Sequence, residues 1–327
     1  MDDPSRVGEA RRHAAVLSAR LGFDETLAGR VALIVNELGS NLLKHAQRGR
    51  LLLAERKRHA SEIEILSIDE GPGIRNLDQS MRDGFSTGGT PGTGLGAARR
   101  LADDFDIHSS IPGGTLIVAR VRQRSGEPPS AGQFDTGVVA LCAPGEMVCG
   151  DGFAIGIDGS NAAALLADGL GHGPQAAEAA QAAIALFVKA PLDSPAKQLE
   201  AAHTLLRMTR GAAVSVVQLD AQGSQIRSAG AGNVVTRLVS GVANRTLLSQ
   251  NGTVGVQIRR VEEIRGEWPA HALVVMHSDG LLTRWAPEVL APLLARDPSL
   301  AAALLVRDFC RGRDDVTVVI VRRKELR

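Results

Sequence analysis

The sequence predicts an α+β chain of two domains, an α/β sandwich followed by a two-sheet sandwich flanked by helices. Three observations predict it. The chain has 327 residues, more than a single hydrophobic core usually spans. The stretch RQRSGEPPSAGQFDTG at 122–137 is rich in Gly, Pro, Ser and charge and reads as a connection. Helical and strand-like periods are grouped rather than alternating one for one, which argues against a doubly wound parallel sheet. The expected boundaries are 1–123 for the first domain, 124–134 for the linker and 135–327 for the second domain.

In the first domain RRHAAVLSARLG is an amphipathic helix. FDETLAGRVALIVNELGSNLLKHA is a second, with Leu33, Ile34, Leu38, Leu42 and Leu43 at helical spacing. RLLLAER and SEIEILSIDE read as strands, LGAARRLADDFDI as a helix and GTLIVARVR as a closing strand. The second domain opens with the strand TGVVALCAP. GFAIGIDGSNAAALLAD is two strands joined by a tight hairpin at Asp158-Gly159-Ser160-Asn161. Helices follow at 174–189 and around 196–209. The stretches GAAVSVVQLD, SQIRSAGAGNVVTRLV, HALVVMHSDGLL and DDVTVVIVRR are strand-like, with helical segments around 288–309 between the last two.

Composition excludes several function classes. A hydrophobic share of 44% and a charged share of 22% are ordinary for a globular protein. The net charge of +1 provides no field for nucleic acid or an anionic membrane. Aromatics are 3% and Tyr is absent, so no stacking platform for single strands is expected. There is no run of 18 apolar residues. The polar start MDDPSRVGEARRHAA has no apolar signal region, so a cytoplasmic location is expected. Cys142, Cys149 and Cys310 form no CxxC pair. They read as small core residues in a reducing compartment.

Three motifs in the first domain point to a nucleotide. Glu37 and Asn41 lie four apart on one helix and share a face. As a pair they also suit a plain helix-stabilising contact. Asp69 follows a strand, with Gly71 and Gly73 after it. A carboxylate there can accept from an amino group such as that of adenine, while the same residues make good turn chemistry. PGTGLGAARRL at 91–101 runs glycines into a helix, an anion-binding arrangement. Its loose match to a dinucleotide fingerprint is rejected, because no strand precedes it. The order E-x-x-x-N, D-x-G-x-G, G-x-G-x-G, then Gly114-Thr115 on a strand resembles the GHKL ATPase family, in its branch of anti-sigma serine kinases.

That resemblance covers roughly 1–123 and implies a Bergerat-type α/β sandwich binding ATP with Mg²⁺. It implies that Asn41 coordinates the Mg²⁺ and that Glu37 takes the proton from a substrate serine. Asp69 would bind adenine in a pocket shaped by Gly71 and Gly73, with Thr115 in support. Gly92, Gly94 and Gly96 would wrap the phosphates. Phosphoryl transfer needs this combination of positioning, charge neutralisation and an oriented nucleophile.

ALLADGLGHG at 164–173 admits a phosphate loop, a metal-binding Asp168 or a plain turn. A phosphate loop wants a Lys or a Ser/Thr opening a helix, and neither is present. Asp151, Asp168, Asp279 and Asp314 all sit at strand ends beside Gly or another acid. Each alone suits a turn; together they form a hard-oxygen set for Mg²⁺ or Mn²⁺. GEMVCGDGF, LLADGLGHG, AGAGN, HSDGLL and GRDDVTVV resemble the PPM-type protein serine/threonine phosphatases in their SpoIIE branch. The resemblance covers roughly 135–327 and implies an αββα sandwich with two Mn²⁺ or Mg²⁺ ions. Asp168 would bridge them, Asp151 and the Gly169 carbonyl would serve one ion, and Asp279 and Asp314 the other. Asp315 would stand behind these ligands, and His172 has no assigned role.

The two resemblances together imply a kinase and a phosphatase of opposite sign in a partner-switching pathway, acting on STAS-domain proteins. Two rivals are a phosphatase whose first domain only senses ATP, and a binding module that sequesters a sigma factor or activates another phosphatase by contact.

Overall fold

The computed structural model describes residues 1, 3–57, 60–81, 94–123, 132–241 and 244–324. The chain divides into two compact units, Met1–Ser130 and Ala131–Arg327.

In the first unit α1 (Pro4–Arg20) and α2 (Glu25–His45) each start on an aspartate. The Asp24 carboxylate accepts from the Leu27 N–H at 2.8 Å, satisfying one of the free amides of a first turn. There follow β1 (Arg50–Lys57), β2 (Ser61–Ile68), α3 (Leu77–Ser80), α4 (Gly94–Leu101), β3 (Asp104–Ser110) and β4 (Gly114–Arg122). The strands form one antiparallel sheet in the order β1-β2-β4-β3. Val31, Ile34, Val35 and Leu38 of α2 pack on Ile63 and Ile65 of β2 and on Ile117, Ala119 and Val121 of β4. Leu33 is not part of that stripe and is 53% exposed, because the buried face follows positions 31, 34, 35, 38 and 42.

The expected helix over LGAARRLADDFDI ends at Leu101, and DFDI belongs to β3. Arg30 stops the helix. Its Nε donates to the Leu101 carbonyl at 2.7 Å and its Nη2 pairs with Asp103 at 2.9 Å. Asp104 then pairs in register with Arg120 and forms an ion pair with Arg122.

The second unit contains β5 (Phe134–Leu141), β6 (Asp151–Asp158), β7 (Asn161–Gly169), α5 (Pro174–Phe187), α6 (Pro195–Leu205), β8 (Ala212–Asp220), β9 (Gln225–Ala231), β10 (Val235–Val239), β11 (Asn244–Leu247), β12 (Gly252–Thr253), β13 (Gln257–Ile258), β14 (Ile264–Glu267), β15 (Leu273–His277), α7 (Pro298–Phe309) and β16 (Val316–Arg323). One sheet runs β14-β9-β8-β7-β6, a second runs β11-β10-β15-β16-β5, and β12-β13 is a small ladder. Leu166, Val217 and Leu219 of the first sheet meet Val274, Met276, Val319 and Val321 of the second. Alternate residues of β7, Ala163, Leu165 and Ala167, face α5 and α6 instead. β7 is therefore apolar on both faces, as a sheet covered on both sides requires.

SQIRSAGAGNVVTRLV is two strands in different sheets. The chain crosses at Gly232, where φ is +100° and an added Cβ would lie 2.4 Å from that of Ala213. The helical stretch around 288–309 is a 3-10 turn at Pro287–Leu293 followed by α7, with Pro292 and Pro298 interrupting it. The cysteines are not core residues. Cys142 is exposed, and Cys149 and Cys310 are half-buried, because Cys142 and Cys310 lie just past β5 and α7 and Cys149 just before β6.

Candidate functional site

The two sheets of the second unit bring their acidic strand ends together. Asp151, the first residue of β6, stands directly opposite Asp168 near the end of β7. Asp279 lies just after β15 and Asp314 just before β16, and those strands are antiparallel neighbours. A hydrogen-bond chain joins the sheets. The Thr317 N–H donates to the Ser278 hydroxyl at 3.0 Å, and that hydroxyl donates to Asp151 Oδ2 at 2.6 Å. Asp315 is buried and accepts from the Ala143 N–H at 2.7 Å and the Gly150 N–H at 2.9 Å. It ties the end of β5 to the start of β6. The Gly169 N–H donates to the Gly150 carbonyl at 3.2 Å. A Cβ on Gly169 would fall 2.1 Å from the Ala176 carbonyl oxygen, and one on Gly280 would fall 1.9 Å from that of Asp315, so both positions demand glycine.

Burial pushes the Asp168 carboxyl up to about 8, reinforced by the charges of Asp151, Asp279 and Asp314. Burial raises Asp151 to about 6, opposed by the Ser278 hydroxyl and reinforced by Asp315 and Asp279. Among the described residues none of these four aspartates forms an ion pair with Lys or Arg. Buried and half-buried carboxylates that repel one another without a neutralising Lys or Arg fit hard divalent cations.

Around this cluster stand further polar residues, of which the sequence had singled out His172 alone. The Asn233 amide donates to Asp279 Oδ2 at 2.7 Å. His172 Nδ1 and Glu146 Oε1 are 2.6 Å apart. Arg210 Nη1 lies 3.3 Å from where a Cβ of Gly171 would be, on the loop after Asp168. That loop is held to the Arg210 side by the Leu170 N–H, which donates to the Gly211 carbonyl at 3.1 Å. Arg210 is exposed and makes no ion pair among the described residues. Nothing in the string TRGAAV marks it; only the fold brings it to the loop.

In the first unit Asp69 leaves β2 with its N–H donating to the Thr115 carbonyl at 3.0 Å. Its Oδ1 accepts from the Gly71 N–H at 2.7 Å. A Cβ on Gly71 would sit 2.8 Å from that oxygen, and one on Gly73, where φ is +76°, 2.2 Å from the Ser110 carbonyl. Thr115 is buried, with its hydroxyl 3.0 Å from that of Ser109, which accepts from the Ile74 N–H at 2.8 Å. Asp69, Gly71, Gly73 and Thr115 thus form one cluster beside an open cleft of about 560 Å³ lined by Ile74, Asn76, Leu77, Ser109 and Ile111. Glu37 and Asn41 are half-buried on α2. The Glu70 N–H ties the Asp69 turn to the Gln47 carbonyl just beyond that helix at 2.9 Å. Gly94 and Gly96 lie in the first turn of α4. Gly92 lies outside the described residues.

Residues 1–121 match the family described as histidine kinase-like ATPase domain, and residues 158–324 match stage II sporulation protein E (SpoIIE). The serine/threonine-protein kinase RsbT of Bacillus subtilis (strain 168) is 33% identical over 111 residues, which cover 34% of this chain and 84% of that protein. A structure from work on the bacterial stressosome as a modular system superposes with a TM-score of 0.55 at 26% identity, covering 58% of this chain and 99% of its own. RsbX in complex with magnesium superposes with a TM-score of 0.52 at 22% identity, covering 58% and 96%, a likeness of fold. With its αββα sandwich, its convergent aspartates and matches of this extent, the chain belongs to the SpoIIE family of PPM-type phosphatases and carries an RsbT-like ATPase domain at its N-terminal end.

Proposed function

We propose that the chain is a bifunctional partner-switching regulator. In this reading a kinase domain at 1–123 phosphorylates a serine or threonine of a STAS-domain protein, and a metal-dependent phosphatase domain at 135–327 removes the phosphate, with 124–134 as the linker. The observation that carries it is the meeting of Asp151, Asp168, Asp279 and Asp314 at one end of two sheets, where burial and mutual repulsion raise Asp168 to about 8. Asp168 would be shared by two Mn²⁺ or Mg²⁺ ions, with Asp151 and the Gly169 carbonyl on one side and Asp279 and Asp314 on the other. The ions, when bound, would supply Lewis-acid charge and an activated water.

The protein's own residues would do the rest. Ser278 fixes the rotamer of Asp151, Asn233 orients Asp279, and Asp315 fixes the Gly150 backbone behind both. The Arg210 guanidinium, laid against Gly171, would hold phosphoryl oxygens of the substrate as a charged fork does.

In the first domain ATP with Mg²⁺ would take Asn41 as a metal ligand and Asp69 as the adenine acceptor, in the cluster with Gly71, Gly73 and Thr115. Gly92, Gly94 and Gly96 would contact the phosphates, and Glu37 would accept the serine proton. Support comes from the 33% identity to RsbT and from the match of residues 1–121 to a histidine kinase-like ATPase domain. The test is a phosphate-release assay on a phosphoserine STAS protein, with and without Mn²⁺, together with label transfer from ATP. Metal-dependent release and Glu37-dependent transfer are expected. Release unaffected by chelation would overturn the phosphatase assignment.

A further inference from the structure

Cys142 follows the end of β5 and Cys149 stands two residues before Asp151. Their sulfur atoms and a carboxylate oxygen of Asp315 all lie within 4.8 Å of one another. The Asp315 carboxylate already accepts from the Ala143 and Gly150 N–H groups. That leaves the trio poorly furnished as a third ion site and directs attention to the two sulfurs. Cys142 is exposed. The connection between them carries Met147 at 93% and Val148 at 42% exposure, so its middle is free of packing while its ends are held at Ala143 and Gly150 by Asp315. A disulfide needs an S–S distance of about 2.05 Å, within reach of a modest shift of that connection.

We propose that Cys142 and Cys149 form a reversible disulfide under a hydroperoxide, and that closing it lowers the phosphatase activity read for the adjacent aspartates. The activity half rests on that reading; the disulfide itself does not. In the first step the Cys142 sulfur attacks the peroxide. An S–O bond forms, the O–O bond breaks, and the leaving hydroxide takes a proton as water. In the second step the Cys149 sulfur attacks the Cys142 sulfenic acid, and the expelled hydroxide leaves as water with the Cys149 proton. Two thiols lose two electrons and the peroxide gains them. The consequence follows from the backbone. Gly150 joins Cys149 to Asp151, donates to Asp315 and accepts from Gly169. Drawing Cys149 toward Cys142 displaces the frame of one half of the aspartate cluster.

The experiment uses the full chain with Mn²⁺, treated with hydrogen peroxide, then alkylated, digested and weighed. Expected is a Cys142–Cys149 link two hydrogens lighter than the dithiol, with Cys310 alkylated. Phosphatase activity on p-nitrophenyl phosphate should fall about tenfold, the scale of a disturbed metal surround, and return with dithiothreitol. Cys142→Ser should keep the untreated rate and lose the peroxide response. Both cysteines alkylated after treatment, or a Cys142→Ser variant still inhibited, overturns the proposal. An unchanged rate in the linked protein overturns its regulatory half. A reversible link in a chain devoid of phosphatase activity supports the disulfide and overturns the phosphatase reading.

Discussion

Asp168 carries the largest burden at the residue scale, and its environment makes two predictions. Asp168→Asn removes the charge shared at the centre of the cluster but keeps the shape. The variant should fold, as circular dichroism would report, while its phosphatase rate falls at least a hundredfold. In the metal-free protein the raised carboxyls set a pH dependence. Asp151 titrates at about 6 and Asp168 at about 8, while an unfolded aspartate titrates near ~3.9. Between those values the folded state holds protons that the unfolded state has released, so stability falls as pH rises through the window. Thermal unfolding without metal should show Tm declining from pH 5 to pH 8, and added Mn²⁺ should raise it most at the alkaline end. A Tm that climbs over that range would contradict the raised carboxyls. Arg210→Ala should raise KM for phosphoprotein severalfold and leave metal affinity unchanged, a split that steady-state kinetics and metal titration resolve.

Much of the fold was legible at the scale of elements, for reasons particular residues show. The two-residue hairpin at Asp158–Asn161 formed as its Gly159-Ser160 turn predicts. The alternation in SEIEILSI placed Ile63 and Ile65 in the core and Glu62 and Glu64 on the opposite face. What that pattern did not reveal is that Glu62 and Glu64 are buried too, at 2% and 4% exposure. Glu64 accepts from Arg120 Nε at 2.7 Å and pairs with Arg56, and Glu62 pairs with Arg122 at 3.1 Å. Partners on β1 and β4 cannot be read from β2 alone. Glu64→Ala should cost about 3–5 kcal/mol by removing one partner of a buried ion pair, checked by urea unfolding of the full chain. Gly137 on β5 escaped notice for the same reason. A Cβ there would meet the Ser299 amide nitrogen of α7 at 2.1 Å.

At the scale of the whole molecule the sites differ in how they were legible. The meeting of Asp151, Asp168, Asp279 and Asp314 was readable because each sits at a strand end, and the antiparallel pairing of β6 with β7 and of β15 with β16 delivers them together. Arg210 was not, and the contacts of Asn233, Ser278 and Glu146 were not although their motifs were, since these depend on loops closing from distant segments. The cysteines were misread because a small apolar residue gives no local sign of which side of a strand end it occupies. The proposed function joins two activities of opposite sign in one chain, each with its own disabling variant. Asn41→Ala or Glu37→Gln should abolish transfer from ATP while phosphate release persists.

The two opposed activities are separated by following phosphorylation of a STAS-domain protein over time with labelled ATP, Mg²⁺ and Mn²⁺, using wild type and Asp168→Asn. Wild type should reach a low plateau, set by opposing transfer and release, and Asp168→Asn should give nearly complete phosphorylation. Identical time courses for the two proteins, with the same metal-dependent loss of label after ATP is removed, would contradict the proposed function.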